Sequence, residues 1–189
     1  MVKFKTVIEG VSDLLQSNCQ VMGNTPPKSP EQIPAWLEMQ VYRGEDGGLY
    51  HPSAAIRNSF LEGAKLLKIG KKNAKTVLMG IVSVYPEMYT PITRDGKPVE
   101  GYEKLTTSAV NKNMSSSVRI ITHRPKITLP WEMEFIFEVN NDYFDINDTS
   151  IKQLKDIFNQ AGAMVGIGCW RPQKSGLFGR FKVKEFTQI

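Results

Sequence analysis

The sequence predicts an α+β fold of ferredoxin-like (RRM-like) order, an antiparallel sheet with two helices on one face. Three observations predict it. Four segments read as strands, Lys3–Glu9, Lys75–Tyr85, Trp131–Val139 and Arg180–Phe186. Two carry apolar stripes at helical spacing, about Ser53–Leu67 and Asp148–Ala161. With the stretches between them set aside, the order is strand, helix, strand, strand, helix, strand.

Each element has its own signal. Phe4, Thr6 and Ile8 alternate along the first strand. Asn24–Pro34 holds Pro26, Pro27, Pro30 and Pro34 and is expected to be a loop. Trp36, Met39 and Val41 read as a strand over Trp36–Tyr42, turned by Arg43–Gly48 into Leu49–Tyr50 as a hairpin. Pro52-Ser53 opens the first helix, with Ser53 expected to accept from first-turn amides. Its stripe is Ile56, Phe60, Ala64 and Leu67, and it should end near Ile69-Gly70. Lys75–Tyr85 is apolar and β-branched, a central strand stopped by Pro86. Glu87–Pro130 is rich in Thr, Ser, Asn and Lys, with a turn at Asp95-Gly96 and a short strand at Val118–Thr122. It reads as an insertion or arm in a single domain spanning the chain. In Trp131–Val139, Met133, Phe135, Phe137 and Val139 alternate with Glu132, Glu134, Ile136 and Glu138. Asn147 or Asp148 caps the second helix, whose stripe is Ile151, Leu154, Ile157 or Phe158, and Ala161, and Gly162 ends it.

The 189 residues carry a formal charge of +5. That charge is segregated. Arg57, Lys65, Lys68, Lys71, Lys72 and Lys75 share their stretch with Glu62 alone; Lys112, Arg119, Arg124 and Lys126 have no acid among them; Arg171, Lys174, Arg180, Lys182 and Lys184 face only Glu185. Three basic tracts point to a polyanionic partner. No apolar run approaches the roughly 18 to 20 residues that cross a bilayer. The start, Met1–Thr6, shows no secretory signal, so a cytoplasmic protein is expected. With Cys19 and Cys169 its only cysteines, neither a disulfide framework nor a zinc module is expected, and no cofactor or metal.

Catalytic signals are thin. His51 and His123 stand in different segments without a partnered nucleophile and read as structural. Asp142, Asp145 and Asp148 lack the glycine and terminal glutamate of a calcium loop and read as turn and cap residues. More informative is the segment from Gly166 to Arg180. It sets Gly166, Gly168, Gly176 and Gly179 among Arg171, Lys174 and Arg180, between a helix and a strand. Glycines allow close backbone approach, and exposed amides with cations suit phosphate oxygens. No Gly-Lys-Ser/Thr follows, so this is not a P-loop. Trp36 and Trp131 read as core anchors, whereas Trp170 lies inside the basic loop and is the candidate for stacking on a base.

The first helix makes the pattern specific. Tyr50-His51-Pro52-Ser53-Ala54-Ala55-Ile56-Arg57-Asn58-Ser59-Phe60 resembles the Pro-Gly-Ser-Ser-Leu-Lys-Gly helix start of the RAMP superfamily, the subunits and processing nucleases of CRISPR effector complexes. The glycine-rich loop is similar to that superfamily's other hallmark, and Ile8–Leu15 to its opening strand and turn. Pro52, Ile56 and Arg57 carry over; Ser53-Ala54-Ala55 replaces Gly-Ser-Ser, and Asn58 replaces the last glycine. The chain best resembles backbone subunits of type III complexes, which line a guide RNA in a filament, and also small RAMP-like proteins of phages and prophages.

The resemblance implies a non-catalytic subunit of an antiviral defence assembly, holding single-stranded RNA or DNA by its phosphates and touching further subunits. Arg57, Lys68, Lys71 and Lys72 would contact phosphate from the first helix and its end. Gly166, Gly168, Trp170, Arg171, Lys174, Gly176, Gly179 and Arg180 would close over the strand, and Arg119 and Arg124 would clamp it from the arm. Family members that cut RNA resemble one another in an aspartate after the first strand; Gln16–Pro30 contains no acid, and Asp13 lies earlier, in the turn. The alternatives are a metal-independent endoribonuclease using His51 or His123, and a phage protein binding an acidic partner.

Overall fold

A computed structural model describes residues 1–18, 27, 29–111 and 118–189, with the backbone alone at 109–111 and 118–120. The fold is carried by the strands β1 (Val2–Gly10), β2 (Val82–Tyr85), β3 (Glu103–Asn111), β4 (Val118–Ile127), β5 (Glu132–Val139) and β6 (Phe181–Gln188), and by the helices α1 (Ile33–Gln40), α2 (Ser53–Ala64), α3 (Ala74–Leu78) and α4 (Asp148–Met164). β6, β1, β5 and β2 lie side by side in that order, antiparallel throughout, with Phe4 opposite Phe137 and Val82 opposite Val139. This is the ferredoxin-like α+β arrangement.

Alternation decides which face is covered. Phe4, Thr6 and Ile8 of β1, and Met133, Phe135, Phe137 and Val139 of β5, are buried. Against them lie Ile56, Phe60 and Ala64 of α2 and Leu154, Ile157, Phe158 and Ala161 of α4. The Phe60 ring centroid lies 4.7 Å from that of Phe137 and 4.5 Å from that of Phe158, so both helices share one face. Removing one such ring typically costs about 3–5 kcal/mol. The helices cross closely: a methyl on Gly63 would come within 2.7 Å of the Ala161 Cβ. Gly162 lies inside α4, which runs on to Met164, and a methyl there would come within 1.9 Å of the Phe181 carbonyl oxygen. That glycine marks a helix–strand contact and not a helix stop. α4 begins with a capping box, in which Asn147 Oδ1 accepts from Ser150 N and Ser150 Oγ accepts from Asn147 N.

Several expectations fail for local reasons. Trp36–Tyr42 is not a strand. Pro30–Gln32 forms a 3₁₀ turn, Pro34 sits in the first turn of α1, and Leu37 and Gln40 are the buried pair at i, i+3 while Met39 is exposed, so the apparent alternation marks no buried face. The hairpin shrinks to Tyr42–Arg43 paired with Leu49–Pro52. Lys75–Tyr85 splits. Asn73 caps the Lys75 amide, α3 buries Ala74 and Leu78, and only Val82–Tyr85 is extended, as an edge strand of the four rather than a central one. α2 ends at Ala64, before the predicted Leu67; Lys68–Ile69 then pairs with Lys72–Asn73 around Gly70 at φ +59°. Ser53 bonds Thr90 Oγ1 at 2.9 Å instead of capping an amide. Between Glu87 and Pro130, β3 and β4 form a ladder far longer than the short strand expected there, and the end of β4 pairs with Leu14–Leu15. Among the described residues no helix is long and apolar enough to cross a membrane.

Candidate nucleic-acid interface

The two sides of the sheet differ in charge. On the side away from the helices every lysine is answered by a glutamate: Lys3 with Glu138 at 3.7 Å, Lys5 with Glu134 at 3.4 Å and Glu185 at 3.5 Å, Lys182 with Glu9 at 3.0 Å, and Lys184 with Glu132. Glu134 and then Glu185 raise the Lys5 ammonium above its usual range. Paired lysines and glutamates offer a polyanion little net charge. Lys182 and Lys184 therefore leave the third basic tract.

The helix side is different. Lys68, Lys71 and Lys72 stand exposed on the small hairpin after α2 and Lys174 on the 3₁₀ turn Pro172–Lys174, while Arg180 is exposed where the loop runs into β6. None of them, nor Arg171, forms an ion pair among the described residues. Named contacts link the glycine-rich loop to the hairpin. Gln173 Nε2 donates to Glu62 Oε2 at 3.1 Å, Glu62 pairs with Lys65 at 2.6 Å and Lys75 at 2.7 Å, and Asn73 Nδ2 donates to the Lys65 carbonyl at 2.8 Å. The hydrogen bonds from Lys65 and Lys75 hold the Glu62 carboxyl below the usual carboxylate range.

The loop is rigidly seated. Ile167 N donates to Gly179 O, Cys169 N to Leu15 O, Phe178 N to Trp170 O and Gly179 N to Asp13 O, all within 3.2 Å. Gly176 is demanded by this seating, since a methyl there would lie 1.6 Å from the Trp170 carbonyl oxygen. Gly166, Gly168 and Gly179 have φ of +70°, +75° and +65°. Trp170 is half-buried, 6.5 Å from the Phe178 ring. Arg171 is held by the Gly168 carbonyl at 3.2 Å and by Gln173 Oε1 at 3.0 Å, both neutral, so its charge is directed and uncompensated.

Other expected residues lie elsewhere. Arg57 sits on the opposite flank of α2 from the loop, where its guanidinium donates to the Val82 carbonyl at 2.9 Å and to that of Met79. It ties α3 to β2 and does not converge with Arg171. Arg124 points inward, donating to Ser17 Oγ at 3.0 Å and to Gln40 Oε1. A clamp from that side chain is therefore corrected to an internal brace. The side chain of Arg119 and all of Lys112 lie outside the described residues, as does Cys19. Trp131 is wholly buried, its Nε1 donating to the Ser12 carbonyl at 2.9 Å, as an anchor should.

Both histidines are buried. His51 is 3 % exposed, with burial and then the nearby Arg171 charge pushing it down from 6.5 to about 4. His123 is buried and its Nδ1 pairs with Thr106 Oγ1 at 3.0 Å. Asp13 Oδ1 accepts from the Leu129 amide at 3.1 Å, and Oδ2 lies 3.6 Å from Lys126 Nζ, which makes it a staple of the turn after β1. Burial pushes the Cys169 thiol up. Among the described residues no group of three His, Cys, Asp or Glu could hold a metal ion.

Sequence reasoning missed the α2 residues that face the loop. Ala55, Asn58, Ser59 and Glu62 line a cavity of about 170 Å³ whose other wall is Val165–Gly168 with Arg171 and Gln173. Their spacing of three and four on α2 could have shown a shared face, but nothing in it shows what covers that face. A larger cleft of about 860 Å³, among Tyr42, Tyr50, Tyr89, Met39 and Met88, carries a single cation, Arg43, already bound by Glu38.

No family model matches the chain, and no curated protein matches it. Among solved structures it is similar to a chain of the type III-B Cmr-β complex, determined by cryo-EM bound to cognate target RNA. The identity is 12 %, the TM-score 0.50, and the match covers 99 % of this chain. This chain thus spans 61 % of the length of the Cmr-β chain it matches, and the likeness shows a shared fold.

Proposed function

We propose that this chain is a non-catalytic, RAMP-like subunit that holds single-stranded nucleic acid, RNA foremost, by its phosphates within a multisubunit assembly. One observation carries the reading: Lys68, Lys71, Lys72, Arg171, Lys174 and Arg180 have no ion-pair partner among the described residues, while the lysines of the opposite face are all neutralised. A strand would run along α2 between hairpin and loop. The fold shared with a chain from an assembly bound to target RNA favours RNA over other polyanions.

Such binding releases counterions, and contact with all six cations gives a slope of roughly −4 in log affinity against log salt, at about −0.7 per phosphate. Fluorescence anisotropy with labelled single strands at several salt concentrations tests it. The combined change Lys68→Gln, Lys71→Gln and Lys72→Gln should flatten the slope by about 2 and weaken all sequences alike, because phosphates carry no base information. Trp170→Ala should weaken binding by about 1–3 kcal/mol with the slope unchanged if a base stacks there. Absence of salt-sensitive binding to RNA or DNA would overturn the reading in favour of an acidic protein partner.

A further inference from the structure

Buried polar atoms without partners are uncommon in folded proteins. Five occur among the described residues, and four belong to three side chains around the seat of the glycine-rich loop: both ring nitrogens of His51, Ser59 Oγ and Arg124 Nε. Arg171 acts electrostatically on His51, and both Arg124 and Arg171 act on Cys169, so these groups are neighbours. Ser59 stands apart because it lines open space. Its hydroxyl is buried at the back of the cavity between α2 and the loop, with Gly166 and Ile167. Asn58 and Gln173 are exposed and Arg171 is half-exposed, so they form the rim.

Size and charge select the ligand. About 170 Å³ equals roughly five or six water volumes at about 30 Å³ each, too little for a nucleoside, whose sites run to roughly 300 Å³ or more. A single tetrahedral oxyanion fits. Arg171 supplies a fixed guanidinium fork, Asn58 an amide, and Ser59 the donor that lacks a partner. The Glu62 carboxylate also lines the space, but Lys65 and Lys75 offset its charge and Gln173 binds one of its oxygens.

We propose that this cavity is a pocket for one phosphate monoester, the terminal phosphate of a nucleic-acid strand, inserted head-first past Arg171 to reach Ser59. An internal phosphodiester carries two substituents and cannot enter a space this small with both. A monoester carries one, which leaves through the rim toward the basic track. As the end of a strand, the ligand rests on the reading proposed above; as a phosphate site, the pocket stands without it.

The test has two arms. Titrating the isotope-labelled protein with inorganic phosphate should shift the backbone amides of residues 55–62 and 165–173, with saturation, and the shifts should be lost in Ser59→Val, which replaces the buried hydroxyl with methyl groups. Arg171→Gln should weaken phosphate about tenfold, the loss of a charge-assisted contact. It is a rim residue and serves if Ser59→Val fails to fold. In the second arm, short RNAs bearing a 5′-phosphate, a 3′-phosphate or only hydroxyl ends are compared by anisotropy. One phosphorylated end should bind about tenfold tighter than the hydroxyl form, with the advantage abolished in Arg171→Gln. Equal, salt-sensitive binding of all three with no amide shifts overturns the pocket and leaves strand binding standing. Saturable, Ser59-dependent phosphate shifts with no binding of any strand support the pocket and overturn the strand reading.

Discussion

Lowering the pH should destabilise this protein through His51. The imidazole is buried and held down from 6.5 to about 4, by burial first and by Arg171 second. Its folded state therefore excludes a proton that the unfolded chain accepts. The stability this provides is full above about pH 6.5 and is lost as pH falls toward 4. Holding the ring from 6.5 down to about 4 is worth about 3 kcal/mol in total, of which about 2 kcal/mol is lost between about pH 7.5 and pH 5. That is a large share of the roughly 5–15 kcal/mol that holds a domain folded. Urea unfolding at several pH values, on the parent and on His51→Leu, measures it. The parent should lose about 2 kcal/mol over this window, and the variant distinctly less. Glu38 and Glu62 are held below the carboxylate range and lose their contributions at lower pH, so they leave the window clear. If both proteins lose the same stability, or the parent loses none, the account of His51 as a buried neutral group is wrong.

Three further outcomes follow from packing. Gly162→Ala should cost about 2–3 kcal/mol in chemical unfolding, because the added methyl meets the Phe181 carbonyl oxygen, which is backbone and cannot swing aside. Arg57→Ala should cost about 1–2 kcal/mol by releasing the Met79 and Val82 carbonyls, while the salt slope of strand binding stays within error of the parent's. Asn147→Ala removes the α4 capping box and should lower stability by about 1 kcal/mol in a thermal melt, with strand affinity unaffected.

What could be read in advance depended on how far each signal reached along the chain. β1 and β5 were legible because each buries one face, so period-two alternation survives in the residues themselves. α2 and α4 were legible because their stripes exceed three turns. α1 and α3, of eight and five residues, were not: over so short a span a helical stripe and a strand look alike, and only the caps at Pro34 and Asn73 separate them. The glycine-rich loop announced itself by composition, and its partners did not. Asn58, Ser59 and Glu62 come from a segment more than a hundred residues earlier, and only the crossing of α2 with α4 sets them beside it. Arg124 looked like one more cation of a basic tract, because alternation in β4 does not say which face Ser17 and Gln40 will cover.

The neutralised outer face of the sheet has a kinetic consequence. Its lysines and glutamates leave one net negative charge, so the rest of the chain carries +6. Charge so divided gives the protein an electric moment directed away from the outer face of the sheet. A polyanion approaching through solution turns it before contact and meets that outer face last. Encounter is then guided, and guidance fades once added salt shortens the range of the field to about 10 Å or less. Association rates would fall steeply with salt, while substitutions among the outer lysine–glutamate pairs that tilt their balance would alter how often the first collision is productive, without touching a residue that holds the ligand.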